Sequence, residues 1–204
     1  MAETLPIFYE YNKMKSIHFK MNEVYHYLHN KIKDVNPNKI IELGSGSGGL
    51  TVAMALALKE INSDGKIYGF DTFDEIGQYG HTYGSVEETM SYINEAGVSS
   101  YVEYTSGDVF THIDNKPEFF SNFDVLYIDL NNTWEIISDV VTKIESVKFQ
   151  IKNGSHVFIE GGHQNHPRMN ESTLETFHKK IGKEVFTFTH LAGPRVSVSQ
   201  LEFL

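Results

Sequence analysis

Four stretches of the chain carry residues whose types and spacing could do chemistry. The first is Ile40-Ile41-Glu42-Leu43-Gly44-Ser45-Gly46-Ser47-Gly48-Gly49. Glycines at this spacing let a backbone turn sharply and let a ligand come within contact distance. The spacing satisfies two patterns at once. Gly44, Gly46 and Gly49 fit G-x-G-x-x-G, the dinucleotide pattern. Glu42 with Gly44, Gly46 and Gly48 fits acidic-x-G-x-G-x-G. The second stretch is Tyr68-Gly69-Phe70-Asp71-Thr72-Phe73, whose acid lies 23 residues after Gly48. A carboxylate at such a strand end can accept from both hydroxyls of a ribose, or it can cap the next helix. The third is Ser106-Gly107-Asp108-Val109, where the acid is either a ligand or a turn residue. The fourth pairs Asp129, at the end of Asp124-Val125-Leu126-Tyr127-Ile128-Asp129, with Glu160-Gly161-Gly162-His163-Gln164-Asn165-His166. Asp129 and His163 are candidate proton acceptors. Glu160 ends a strand and needs a partner there, with Arg168 the expected one. Trp134, the only tryptophan, either stacks on a bound base or fills the core.

These residues need elements to hold them. Helical spacing of Ile17, Met21, Val24, Leu28 and Ile32 predicts a helix over 15–34. Strands are expected at 39–43, 66–70, 101–105, 125–129 and 155–160. Helices are expected at 50–61, 85–96, 133–152 and 172–181, the 133–152 helix on the stripe Ile137, Val140, Val141, Ile144 and Val147. Strands alternating with helices imply a mostly parallel sheet. The last two strands, 184–191 and 195–203, are joined too closely to be parallel. The expected fold is α/β: a Rossmann-like, doubly wound, seven-stranded sheet with an antiparallel C-terminal hairpin. Residues 1–36 are read as an N-terminal helical cap and 37–204 as the catalytic domain of one compact unit. Ligands of such sheets lie at the carboxyl ends of the strands, where all four stretches fall.

The whole chain narrows the options. It has 204 residues, 17 basic against 27 acidic, a net charge of −10 and no cysteine. That charge repels a phosphate backbone, so nucleic acid is not the expected partner. Without cysteine there is no disulfide, thiolate metal site or thiol nucleophile. No signal peptide and no apolar run of about 20 residues is visible, so a soluble, cytoplasmic protein with no membrane partner is expected.

The glycine stretch resembles the first motif of class I S-adenosylmethionine (SAM) dependent methyltransferases. In that resemblance Glu42, Gly44, Ser45, Gly46, Gly48, Thr72 and Phe73 bind the cofactor, and Asp71 receives its ribose. Gly107 and Asp108 hold the adenine, and Val109 and Asp129 also bind the cofactor. The middle of the chain looks like the TylF, or macrocin O-methyltransferase, type over about 38–165. The matching stretches are Tyr68 to Phe73, Gly84-Ser85-Val86-Glu87-Glu88-Thr89 to Gly97-Val98, Gly107 to Phe110, and Asp124 to Asp129. The implied activity is methyl transfer from SAM to a small-molecule hydroxyl. Several relatives hold Mg²⁺ through acids at the ends of strands four and five. Asp129 and Glu160 are the matching ligands, but Gly161 replaces the second acid of the pair and Asn131 another. Asn131, Asn132 or His163 could complete such a site.

A nicotinamide-dependent oxidoreductase and a nucleoside-binding protein without turnover remain as alternatives. The loop 74–84, with Gln78, Tyr79, His81 and Tyr83, is a candidate lid. The N-terminal Tyr9, Tyr11, His18 and Phe19 could cap the pocket, and the C-terminal hairpin offers an edge for a homodimer.

Overall fold

The structure is a computed structural model that describes residues 22–73, 85–163, 165–166, 168–170, 173–182, 186–192 and 197–203. The expected lid 74–84, the N-terminal cap residues and the start of the first helix lie outside them.

The chain begins with α1 (Asn22–Val35), β1 (Lys39–Leu43), α2 (Gly49–Glu60), β2 (Lys66–Asp71) and α3 (Val86–Glu95). A 3₁₀ turn (Ser99–Tyr101) leads into β3 (Val102–Ser106), α4 (Val109–Asn115), α5 (Pro117–Phe120) and β4 (Val125–Ile128). Then come α6 (Trp134–Lys143), α7 (Val147–Lys152), β5 (His156–Glu160), α8 (Leu174–Ile181), β6 (Phe186–Ala192) and β7 (Val198–Phe203).

The strands form one seven-stranded sheet in the order β3-β2-β1-β4-β5-β7-β6. The first five are parallel to their neighbours, and β7 is antiparallel to both β5 and β6. The expected hairpin is present, with β7 rather than β6 docked on the parallel part. From β1 the chain builds outward to β2 and β3, then returns to place β4 on the other side of β1. That reversal opens a crevice at the carboxyl ends of β1 and β4.

Alternation along the strands sorts side chains to two faces. Ile40, Ile67, Val125, Tyr127 and Phe158 pack with Val24, Tyr25, Leu28 and Ile32 of α1, with α2, and with Ile93 of α3. Ile41, Leu43, Phe70, Leu126, Ile128, Val157 and Ile159 pack against α4 to α8. Both faces are covered, which is why the central strands read as continuous apolar runs. Glu42, buried at 1% exposure in β1, interrupts the first set.

Two helical expectations change. The helix expected over 133–152 is broken at Ile144, whose φ of −88° and ψ of 78° are not helical. The break turns the chain so that Ile144 and Val147 both reach the core and β5 can start. The short α4 and α5 went unread because seven and four residues carry too little periodicity. Ser85 caps α3 by accepting from the Glu88 amide at 3.2 Å.

Candidate active site

The glycine turn joins β1 to α2 with Gly44, Gly46 and Gly48 at φ of 88°, 52° and 76°. Gly44 has no alternative: a Cβ there would lie 1.9 Å from the Asp129 carbonyl oxygen. This close approach packs the turn against the end of β4, and the Asp129 amide donates to the Leu43 carbonyl at 2.7 Å.

Asp71 ends β2 beside this turn. Its Oδ2 accepts from the Gly46 amide at 2.7 Å and its Oδ1 from the Phe73 amide at 3.1 Å. Phe73 is buried with a φ of 58°, a left-handed conformation uncommon for an aromatic residue. It positions its amide under Asp71 and its ring 5.3 Å from that of Tyr104. Each Asp71 oxygen keeps lone-pair capacity for a further donor.

Asp108 is the N-cap of α4. Its Oδ2 accepts from the Thr111 amide at 2.8 Å and the Thr111 hydroxyl at 2.7 Å. The Thr111 hydroxyl, followed by its amide, holds the Asp108 carboxyl below the usual carboxylate range. Val109 is buried at the start of α4, and the Gly107 amide donates to the Asp71 carbonyl at 2.9 Å. The second and third stretches are therefore joined at the end of the sheet.

Acids gather on one face of the crevice. Glu42, Asp71 and Glu160 share the strand parity of the α1/α2 face, and Asp129 follows Tyr127 on the same parity. Burial, then the carboxylates of Glu160, Glu42 and Asp71, push the Asp129 carboxyl well above its ordinary value, against the pull of Arg168. Burial also raises Glu42 to about 7, opposed by its hydrogen bonds from Thr51 and Ser45. Oε1 of Glu42 and the hydroxyl of Tyr127, in register on β1 and β4, are both buried without a hydrogen-bond partner among the described residues.

The partner of Glu160 is His166 rather than the expected Arg168: Nε2 lies 3.1 Å from Oε1, with both side chains buried. The Met169 amide donates to His166 Nδ1 at 2.7 Å, so the neutral ring carries its proton on Nε2 and donates to Glu160. Asn132 is fully buried, and its amide is spent on the backbone. It accepts from the Leu130 amide and donates to the carbonyls of Ile128 and Glu160.

These commitments bear on the expected Mg²⁺ ligands. Among the described residues no group of three or more His, Cys, Asp or Glu is arranged to hold a metal ion. Oε1 of Glu160 accepts from His166, the side-chain oxygen of Asn132 accepts from the Leu130 amide, and Gly161 offers no side chain. The donor set of Asp129 and Glu160 does not fit a divalent ion.

His163 stands in the loop after β5, its ring centroid 4.6 Å from that of His190. Trp134 is core, not a stacking platform: it is 1% exposed, packs on Phe177 and Phe188, and donates to the Asn170 carbonyl at 3.2 Å. Two site residues escaped the sequence reading. Thr51 donates to Glu42 Oε2 at 2.5 Å, and the Tyr104 hydroxyl donates to Thr51 at 2.7 Å. The available signal was a threonine in the first turn of the otherwise apolar stretch Leu50 to Leu58.

No helix among the described residues is long and apolar enough to cross a membrane. No curated protein matches the chain in sequence. The fold resembles several solved structures. An O-methyltransferase from Streptomyces achromogenes involved in tomaymycin synthesis, in complex with SAM, is 18% identical with a TM-score of 0.55, covering 86% of this chain and 77% of its own. A Podospora anserina methyltransferase bound to S-adenosylhomocysteine (SAH) is 13% identical with a TM-score of 0.64, covering 100% of this chain and 89% of its own. An O-methyltransferase from Bacillus cereus in complex with SAH is 14% identical with a TM-score of 0.63, covering 100% and 92%. At these identities the likeness is one of fold. The family described as methyltransferase domain matches residues 41–161, which hold the glycine turn, Asp71, Asp108, Asp129 and Glu160. That match spans more than half of the sequence, and the chain belongs to the methyltransferase domain family.

Proposed function

We propose that the protein transfers a methyl group from SAM to a hydroxyl of a small molecule. The clustering of carboxyl groups in the crevice carries this reading. Asp71, Asp129 and Glu160, with Glu42 one layer below, present carboxyls beside the glycine turn. A cationic sulfur beside them would draw these carboxyls into their charged forms, whereas a pyrophosphate would raise their proton affinity further. The Gly46 amide, which a phosphate at this turn would need, is already given to Asp71. Both features favour SAM over a nicotinamide dinucleotide. The O-methyltransferases from Streptomyces achromogenes and Bacillus cereus among the similar folds, and the resemblance to the TylF type, support a hydroxyl acceptor.

Bound SAM supplies a methyl group already activated on a positively charged sulfur. In this reading Asp71 receives the ribose hydroxyls, Gly107, Asp108 and Val109 hold the adenine, and Glu42, Gly44, Ser45, Gly46 and Gly48 form the turn around the cofactor. Thr72 and Phe73 close the ribose side. The chain must also align the acceptor oxygen and take its proton. Asp129 is assigned that proton, since a carboxylate with raised proton affinity is the stronger base. His163 is a poorer base as placed. The Asn165 amide donates to its Nδ1 at 3.1 Å, so the neutral ring holds its proton on Nε2 and has no lone pair there. Mg²⁺ has no part in this reading, because among the described residues no third carboxylate or imidazole is arranged with Asp129 and Glu160 to hold it.

Calorimetric titration with SAH and with NADH, both in EDTA, tests the proposal. Binding of SAH alone is expected. Binding of NADH alone would move the protein to the oxidoreductase class.

A further inference from the structure

The glycine turn rests on a hydrogen-bonded chain that crosses three elements of the fold and is buried at Glu42, Ser45 and Thr51. The Tyr104 hydroxyl of β3 donates to Thr51 Oγ1 of α2 at 2.7 Å. The Thr51 hydroxyl donates to Glu42 Oε2 of β1 at 2.5 Å. Ser45, inside the turn, donates to the same oxygen at 3.1 Å. Each hydroxyl has one proton, so the direction of the chain is set: Glu42 Oε2 is the common acceptor, and Tyr104 is the outer donor.

Sterics hold Tyr104 to this role. Its ring fills the space left by Gly69, where a Cβ would lie 2.2 Å from Tyr104 Cε1 and 2.6 Å from Ser45 Oγ. Its hydroxyl would be 3.2 Å from a Cβ on Gly48. One aromatic side chain thus touches the spaces kept open by glycines of β2 and of the turn. It also lies against Phe73, whose amide holds Asp71. Thr51 and Ser45 are both buried, so a lost partner in this chain would not be replaced by bulk water.

We infer that Tyr104 and Thr51 are positioning residues for the cofactor: acting through Glu42 and Ser45, they hold the glycine turn in its binding conformation. Neither residue is assigned contact with the reacting atoms. The inference rests on the reading of the turn as a SAM site. Its expected signature is a loss of cofactor affinity with little change in the chemical step.

The experiment measures SAH affinity by calorimetry and steady-state kinetics for wild type, Tyr104→Phe, Thr51→Val and Thr51→Ser, with thermal unfolding of each. Tyr104→Phe keeps the ring and removes only the donor. Its SAH Kd should rise about fivefold to tenfold, and the kinetic effect should fall on KM for SAM rather than on kcat. Thr51→Val should weaken SAH at least as much, and Thr51→Ser, which restores the hydroxyl, should recover most of the loss. Wild-type affinity in both Tyr104→Phe and folded Thr51→Val overturns the inference, even if their melting points fall, because the chain would then be structural only. If Thr51→Val does not fold, Tyr104→Phe decides alone. Absence of SAH binding by the wild-type chain instead overturns the cofactor reading itself, and the role of the chain with it.

Discussion

The amide of Gly46 donates to Oδ2 of Asp71 at 2.7 Å, locking the glycine turn after β1 to the end of β2. The contact joins the first and second sequence stretches across 25 residues. It also gives one carboxylate two tasks, shaping the turn and facing the cofactor.

Replacing Asp71 with Ala removes both. The SAH affinity should fall by about 1.5–3 kcal/mol for one lost charge-assisted hydrogen bond, roughly tenfold to a hundredfold in Kd. Calorimetry checks it, and wild-type affinity in Asp71→Ala would remove Asp71 from the cofactor site.

Gly44→Ala meets the Asp129 carbonyl at 1.9 Å and forces a non-glycine residue to a φ of 88°. Gly154 has a similar φ of 94° but open space within 4 Å, so it isolates the backbone effect. Gly154→Ala should lose about 1 kcal/mol of stability, while Gly44→Ala should lose several times as much. Urea unfolding of the pair measures the difference, and equal losses would contradict the packing of the turn on β4.

Asp129→Asn keeps the shape of the side chain and removes the base. Turnover should drop by about a hundredfold or more, with SAH affinity within roughly twofold of wild type. Wild-type turnover would pass the acceptor's proton to another group.

Glu42 supplies a pH test. Its carboxyl sits at about 7 in the fold against an ordinary 4.5, so the fold favours the neutral form. The associated stability is present below the unfolded value and is lost as pH rises through about 7. Glu42→Gln keeps an acceptor for Thr51 and Ser45 and cannot ionise. Between about pH 4 and about pH 8 the variant should gain on wild type by on the order of 3 kcal/mol. Urea unfolding at both pH values reads this gain. A stability difference independent of pH would show that Glu42 titrates as in the unfolded chain.

Part of the site was legible because it is local. The glycine spacing around Gly44, Asp71 at a strand end, and the alternation of strands and helices all lie within short windows where backbone geometry dictates residue type. The partner of Glu160 was not legible in this way. Arg168 and His166 both follow it at short range, and only the fold of the intervening loop chooses His166, by pointing the Met169 amide at its Nδ1. Trp134 was equally open between cofactor and core until Phe177 and Phe188 closed around it.

By itself, the sequence determined the sheet class, the order of the strands along the chain, the glycine turn and the acids at strand ends, because each follows from periodicity or from a local steric need. Tertiary structure alone decided that Thr51 and Tyr104 support the turn. It also decided that Asn132 and Glu160 are already engaged, and that Asp129 shares its surroundings with three other carboxyls. Those outcomes depend on which strands become neighbours. Hydrogen bonding and charge act through space, over distances that chain spacing does not record.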